Sequence, residues 1–167
     1  MSATDDSLAA NVAYARGFEL GGLPTTPAKR LAVITCMDSR IDVLAILGLR
    51  EGDAHVIRNA GGVVTDDEIR SLAISQHLLG TREVMLIQHT RCGLLEITDE
   101  ELARRLEEAS GERPGWSAEA IDDLALDVPR QIGRILASPF VPHKGSVRGF
   151  IYDVDTGLLR EVAAPAT

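Results

Sequence analysis

Two cysteines and a histidine, Cys36, Cys92 and His89, are of the types that a metal ion collects. Zinc accepts thiolate and imidazole at about 2.0 to 2.3 Å in tetrahedral geometry. Cys36 opens the run Cys-Met-Asp-Ser-Arg and His89 opens His-Thr-Arg-Cys-Gly, so the ligand types come from two well-separated pieces of chain. Three protein ligands leave one position open, which marks a catalytic rather than a structural zinc. A closed site would have to find its fourth ligand in His55, His77, His143 or a carboxylate, because the chain has no further cysteine.

Cys36, Asp38 and Arg40 alternate, and an extended backbone would put all three on one side. Asp38 would then lie near the metal and could become its fourth ligand. Arg40 could instead hold it in a charge-assisted, bidentate pair, and the competition offers a switch. Taken alone, the two cysteines read as buried thiols or as a redox disulfide. His89, Asp38 and Arg40 at these spacings favour the metal.

The elements that must bring these residues together follow from the pattern. Residues 31 to 36 (LAVITC) are almost wholly apolar and partly β-branched, as a strand covered on both faces should be. A short helix follows from Asp42 to Leu47, ending near Gly48. Residues 53 to 58 (DAHVIR) form a second strand running into the loop Asn59-Ala60-Gly61-Gly62. Thr65 and Glu68 stand at capping-box spacing before a helix that Gly80 stops, and residues 83 to 88 (EVMLIQ) supply a third strand. Cys36 therefore ends the first strand, while His89 and Cys92 follow the third. Carboxyl ends of parallel strands are where loops converge around a crevice.

Elsewhere, residues 7 to 18 place Leu8, Val12, Ala15 and Phe18 on one side of a helix, and Gly-Pro punctuation follows. Thr98 and Glu101 repeat the capping-box spacing, the ERPG segment breaks the chain near 112 to 115, and residues 117 to 136 read as helical. GFIYDV and LLREV, around Asp155-Thr156-Gly157, read as a strand pair with a short turn. Strands alternating with helices imply a single α/β domain with a mostly parallel central sheet flanked by helices. It spans residues 1–167, with a helical arm over about 1–28.

Composition narrows the function. Acidic residues outnumber basic ones by 25 to 17 and the basic ones are scattered, so no patch is ready to neutralise a nucleic-acid backbone. No basic stretch leads into an apolar run near the start, and nowhere do eighteen uncharged apolar residues follow one another. A cytoplasmic protein that binds neither membrane nor nucleic acid is expected. His55 and His77 read as structural, and Arg91 and the acidic run 99–101 as solvated surface. Asn59, Ala60, Gly61 and Gly93 are candidates to line the pocket, with a plain turn at 59–62 the equal alternative.

The combination C-M-D-S-R, R-N-A-G and H-T-R-C-G resembles the beta class of carbonic anhydrases, closely over residues 29 to 94 and more loosely beyond. The resemblance implies zinc on Cys36, His89 and Cys92, and Asp38 with Arg40 as the catalytic dyad. It implies reversible hydration of carbon dioxide to bicarbonate and a proton by a zinc-bound hydroxide. It also implies a homodimer or larger homo-oligomer, the leading helix lying on the partner. Bicarbonate-inhibited members resemble this chain at Arg58 but carry Trp where it has Val33, so their regulatory pocket is expected to be absent or altered here. The partner-supplied glutamine of plant-like members has no counterpart identified in the sequence. Hydrolases of carbonyl sulfide or carbon disulfide share the ligand pattern and are the rival reading. A non-catalytic thiol-zinc redox sensor is a second rival, against which the Asp38–Arg40 pair counts. Two thiolates cancel the formal charge of the metal, so activity should rise into the alkaline range.

Overall fold

A computed structural model describes residues 2–163. The apolar run Leu31–Cys36 forms strand β1, buried at every position after the first. Its neighbours, β2 (Ala54–Asn59) and β3 (Glu83–His89), both run parallel to it. β4 (Val147–Tyr152) lies parallel beside β3, and β5 (Leu159–Val162) closes that edge antiparallel, as the Asp-Thr-Gly turn requires. The order is β2-β1-β3-β4-β5. The chain steps outward from β1 to β2 and then returns past β1 to β3. Strand order thus reverses between β1 and β3, which is where an open α/β sheet forms its crevice.

Each sheet face buries its own cluster. On one, Leu72 of helix α3 (Asp66–His77) and Val128, Ile132 and Ile135 of helix α5 (Leu124–Ala137) pack on Ile34, Leu86 and Ile151. On the other, Val43 of the short helix α2 (Val43–Leu47) and the half-buried Leu94 and Leu95 cover Val33, Ile87, Phe150 and Tyr152. The α5 contact is close: Gly149 of β4 has no side chain, and a Cβ there would stand 2.3 Å from Val128 and 2.6 Å from Ile132.

Helix starts follow the capping chemistry with two corrections. Thr65 and Glu68 form a reciprocal box, whereas Thr98 caps helix α4 (Asp99–Ser110) by accepting from the Glu101 N–H alone. The second concerns residues 117–123, which are not helical. The Asp99 carboxylate accepts from the Ser117 hydroxyl at 2.6 Å and the Ala120 N–H at 2.9 Å, Glu119 adopts φ 58°, and Asp123 caps α5. A local carboxylate therefore outcompetes the helical pattern, and Asp99 pins a loop rather than simply meeting solvent.

The leading helix α1 occupies Ala3–Arg16 between a Ser2–Asp5 capping box and Gly17, so it begins four residues before the expected segment and leaves Phe18 beyond its end. None of its residues is buried, and Leu8 and Val12 remain 61% and 55% exposed. One tie to the body is the Tyr14 hydroxyl donating to the Glu51 carboxylate at 2.7 Å. No helix among the described residues is long and apolar enough to cross a membrane.

Candidate metal centre

Strand β1 ends on Cys36 and β3 ends on His89, two neighbouring strands finishing at the same edge; Cys92 lies three residues further on. All three are buried, and their ligand atoms lie within 4.8 Å of one another. Sulfurs bound to one tetrahedral zinc stand about 3.8 Å apart, from bonds of about 2.3 Å, so the constellation needs little closure to share an ion.

The histidine is oriented for this. His89 Nδ1 lies 2.9 Å from the Thr90 carbonyl, which only accepts, so the proton belongs on Nδ1 and the lone pair on Nε2. Nε2 is buried without a hydrogen-bond partner, as a ligand awaiting a cation would be. The neighbouring Gln88 faces the other side of the sheet, where its amide donates to Asp127 of α5 at 2.6 Å. Strand alternation thus assigns adjacent residues to different tasks.

The thiols form a coupled pair. A hydrogen bond from Cys92 is the main cause that holds the Cys36 thiol down to about 4 against burial, with the Asp38 and Gly61 backbone N–H groups acting in the same direction. The shared hydrogen bond and burial push Cys92 up. Metal binding needs both thiols as thiolates, and the contacts on Cys36 favour that form.

Asp38 and Arg40 pair as expected, but through a turn and not by alternation along a strand. β1 has ended, and the Asp38 Oδ1 accepts from the Arg40 backbone N–H at 2.9 Å. The guanidinium closes the fork, Nε to Oδ1 at 2.9 Å and Nη2 to Oδ2 at 2.6 Å. These bonds hold the Asp38 carboxyl well below the usual carboxylate range, Arg40 being the main cause. Asp38 Oδ2 stands 3.8 Å from His89 Nε2, beside the ligands but committed to arginine.

Two further residues fasten this loop. Arg58 donates from Nε to the Cys36 carbonyl at 3.0 Å and from Nη2 to the Asp38 carbonyl at 2.7 Å. Both groups are thus engaged by the β1 end. Arg91, read as plain surface, has an exposed side chain paired with Asp155, yet its carbonyl accepts from Arg40 Nη2 at 3.0 Å with φ at 55°. A backbone carbonyl has no residue type, so the sequence offered no signal for it.

The turn at 59–62 wraps Cys36. Gly61 N–H points at the Cys36 sulfur at 3.3 Å. Gly62 packs so tightly that a Cβ would meet the Cys36 nitrogen and Thr35 carbonyl carbon at 3.0 Å. Ala60 is exposed, and Gly93 is exposed with open space where its Cβ would be. His55 bonds the Ser75 hydroxyl at 2.8 Å and His77 lies 3.2 Å from the Phe140 carbonyl, both remote from the ligand cluster.

A mostly parallel α/β sheet whose switch-point strands bring together two thiols and an imidazole, with a salt-bridged carboxylate alongside, fits the class of α/β folds that can hold a metal on three protein ligands. Comparisons with known proteins narrow the class. The carbonic anhydrase family profile matches residues 31–109. Beta-carbonic anhydrase 1 of Mycobacterium tuberculosis is 55% identical over 162 residues, 97% of this chain and 99% of that one. The crystal structure of a carbonic anhydrase from Streptococcus mutans superposes with a TM-score of 0.92 at 42% identity, covering 98% and 99% of the two chains. A carbon disulfide hydrolase of Saccharolobus solfataricus is 33% identical over 85% of this chain and 80% of its own length. The chain belongs to the beta-carbonic anhydrase family.

Proposed function

We propose that the chain is a zinc-dependent carbonic anhydrase, converting carbon dioxide and water to bicarbonate and a proton, with Cys36, His89 and Cys92 as metal ligands. The observation that carries this reading is the buried, partnerless His89 Nε2 facing two free thiols beside a carboxylate already claimed by arginine. The donor set suits zinc, which when bound supplies a Lewis acid that makes water a nucleophile at moderate pH.

The chain's own residues do the rest. Asp38, ionised and acceptor-only, takes a hydrogen bond from the attacking oxygen and so turns a lone pair toward the substrate carbon. Arg40 keeps the carboxylate from becoming a fourth ligand, and the Arg91 carbonyl and the Arg58 clamp hold the pair in register. Thr90 fixes the histidine tautomer. Burial of both cysteines among Val33, Ile41, Ile87 and Phe150 surrounds the centre with apolar side chains.

The relatives that hydrolyse carbon disulfide support a second reading, in which the same centre acts on carbon disulfide or carbonyl sulfide. Stopped-flow hydration of carbon dioxide, run beside sulfide release from both sulfur substrates, decides between them. Hydration in large excess supports the proposal, and sulfide release alone overturns it.

The protein acts as a homodimer in this proposal, because α1 presents Leu8 and Val12 to solvent with no core of its own to meet. Sedimentation of the full chain and of a variant lacking residues 2–16 tests it: loss of the dimer only in the shortened chain is the expected result. Two cysteines held as adjacent free thiols suit a reducing compartment, and the cytoplasm is the proposed location.

A further inference from the structure

Asn59 occupies the centre of a small scaffold around Cys36. Its backbone pairs with Cys36 at the end of β2, and its carbonyl accepts from the Met37 N–H at 2.7 Å. Its side chain then closes the next turn on both sides, Nδ2 donating to the Val63 carbonyl at 2.8 Å and Oδ1 accepting from the Val63 N–H at 3.1 Å. An amide side chain thereby satisfies both backbone groups of Val63 as a neighbouring strand would.

The far end of the turn is fixed as well. Val64 N–H donates to Gln131 Oε1 at 2.8 Å, and the Val64 carbonyl accepts from Arg134 at 2.9 Å, both from α5. Gly61 N–H is buried and directed at the Cys36 sulfur, 3.3 Å away. Gly62 fills the contact with the Cys36 backbone where a larger residue would not fit. The glycines permit the approach; Asn59 aims it.

A hydrogen bond to a metal thiolate withdraws charge from sulfur, which lessens its electron donation and stabilises the bound state against protonation and loss. From this geometry we infer that Asn59 is a positioning residue for the metal centre, holding the Gly61 N–H on the Cys36 sulfur and thereby slowing metal loss. The inference rests on the metal-centre reading proposed above. In this inference Asn59 acts through the Gly61 backbone.

The test replaces zinc by cadmium-113 or cobalt in the full-length protein. In the cadmium form a scalar coupling between cadmium and the Gly61 amide proton reports a hydrogen bond passing through sulfur. We expect that coupling in the wild type and its loss in Asn59→Ala and in Asn59→Asp, which keeps the acceptor for Val63 N–H but lacks the Nδ2 donor. The cobalt form should show its sulfur-to-cobalt band moved to longer wavelength in both variants. Zinc should pass to a chelator about 10-fold faster, the low end of what outer partners of metal ligands contribute. A wild-type protein that binds one cadmium per chain without coupling at Gly61 overturns the inference, even where a variant fails to fold. So do folded variants with unmoved bands and unchanged zinc release. A wild type that takes up no metal ends the metal-centre reading itself, which the metal content reports separately from the coupling.

Discussion

The tight approach of Gly62 to β1 can be weighed by adding a single methyl group. At Gly62, φ is 63° and a Cβ would lie 3.0 Å from the Cys36 nitrogen, 3.0 Å from the Thr35 carbonyl carbon and 3.1 Å from the Ile87 carbonyl oxygen. All three are backbone atoms of the two strands that end on Cys36 and His89, so no side chain can swing aside. An L-residue in the left-handed region costs about 1 to 2 kcal/mol. Overpacking a filled interior adds about 1 to 3 kcal/mol. Gly48, which ends α2 at φ 61° with nothing within 4 Å of its Cβ position, isolates the first contribution. Both substitutions to alanine also reduce unfolded-chain entropy alike, and that effect cancels in the comparison. For a chain of this size each kcal/mol moves Tm by about 2 to 4 °C. Gly62→Ala should therefore melt about 2 to 12 °C below Gly48→Ala, measured calorimetrically on metal-free protein at one concentration. It should also release zinc faster, which Gly48→Ala should not. Equal melting temperatures would refute the claim that backbone contact, rather than backbone conformation, demands glycine at 62.

Further outcomes concern the centre and its surroundings. Asp38→Asn should keep its zinc and lose about 100-fold in hydration rate, at the low end for removing one contact aimed at the reacting oxygen, as read by stopped flow; a loss under threefold removes Asp38 from the reaction. Cys92→Ser should retain its circular dichroism spectrum while stoichiometric zinc disappears from elemental analysis. Hydration should climb from pH 6 to 9, and a flat profile over that interval contradicts the charge argument from two thiolates. Asp99 is held below its ordinary range, chiefly by the Ser117 hydroxyl and then the Ala120 N–H. Its contribution is complete above the unfolded value of about 4 and fades as pH falls through the lower folded one. Urea midpoints of Asp99→Asn should accordingly fall less than those of the wild type between pH 5 and pH 3.

The meeting of Cys36, His89 and Cys92 was legible in sequence because it is written in residue types: two thiols and an imidazole at or just beyond strand ends form a set that could hold a metal. The parallel sheet was legible for a similar reason, since LAVITC and EVMLIQ carry burial on both faces in their composition. What escaped was chemistry delivered by the backbone. The Arg91 carbonyl on Arg40, the Gly61 N–H on sulfur and the turn that forms the Asp38–Arg40 fork depend on dihedral angles that many sequences could adopt. Residues 117–123 escaped because Asp99, about twenty positions earlier, competes for their backbone and hydroxyl groups. Helix α1 was readable as a helix with an apolar side, but not that this side stays exposed among the described residues.

Because β1 and β3 are neighbours in one protomer, sulfur, nitrogen and sulfur all belong to the same polypeptide. The proposed zinc binding and the proposed pairing with a second copy then draw on separate groups of the chain. In the proposed zinc-bound homodimer, a chain would acquire its cation without a ligand atom from its partner.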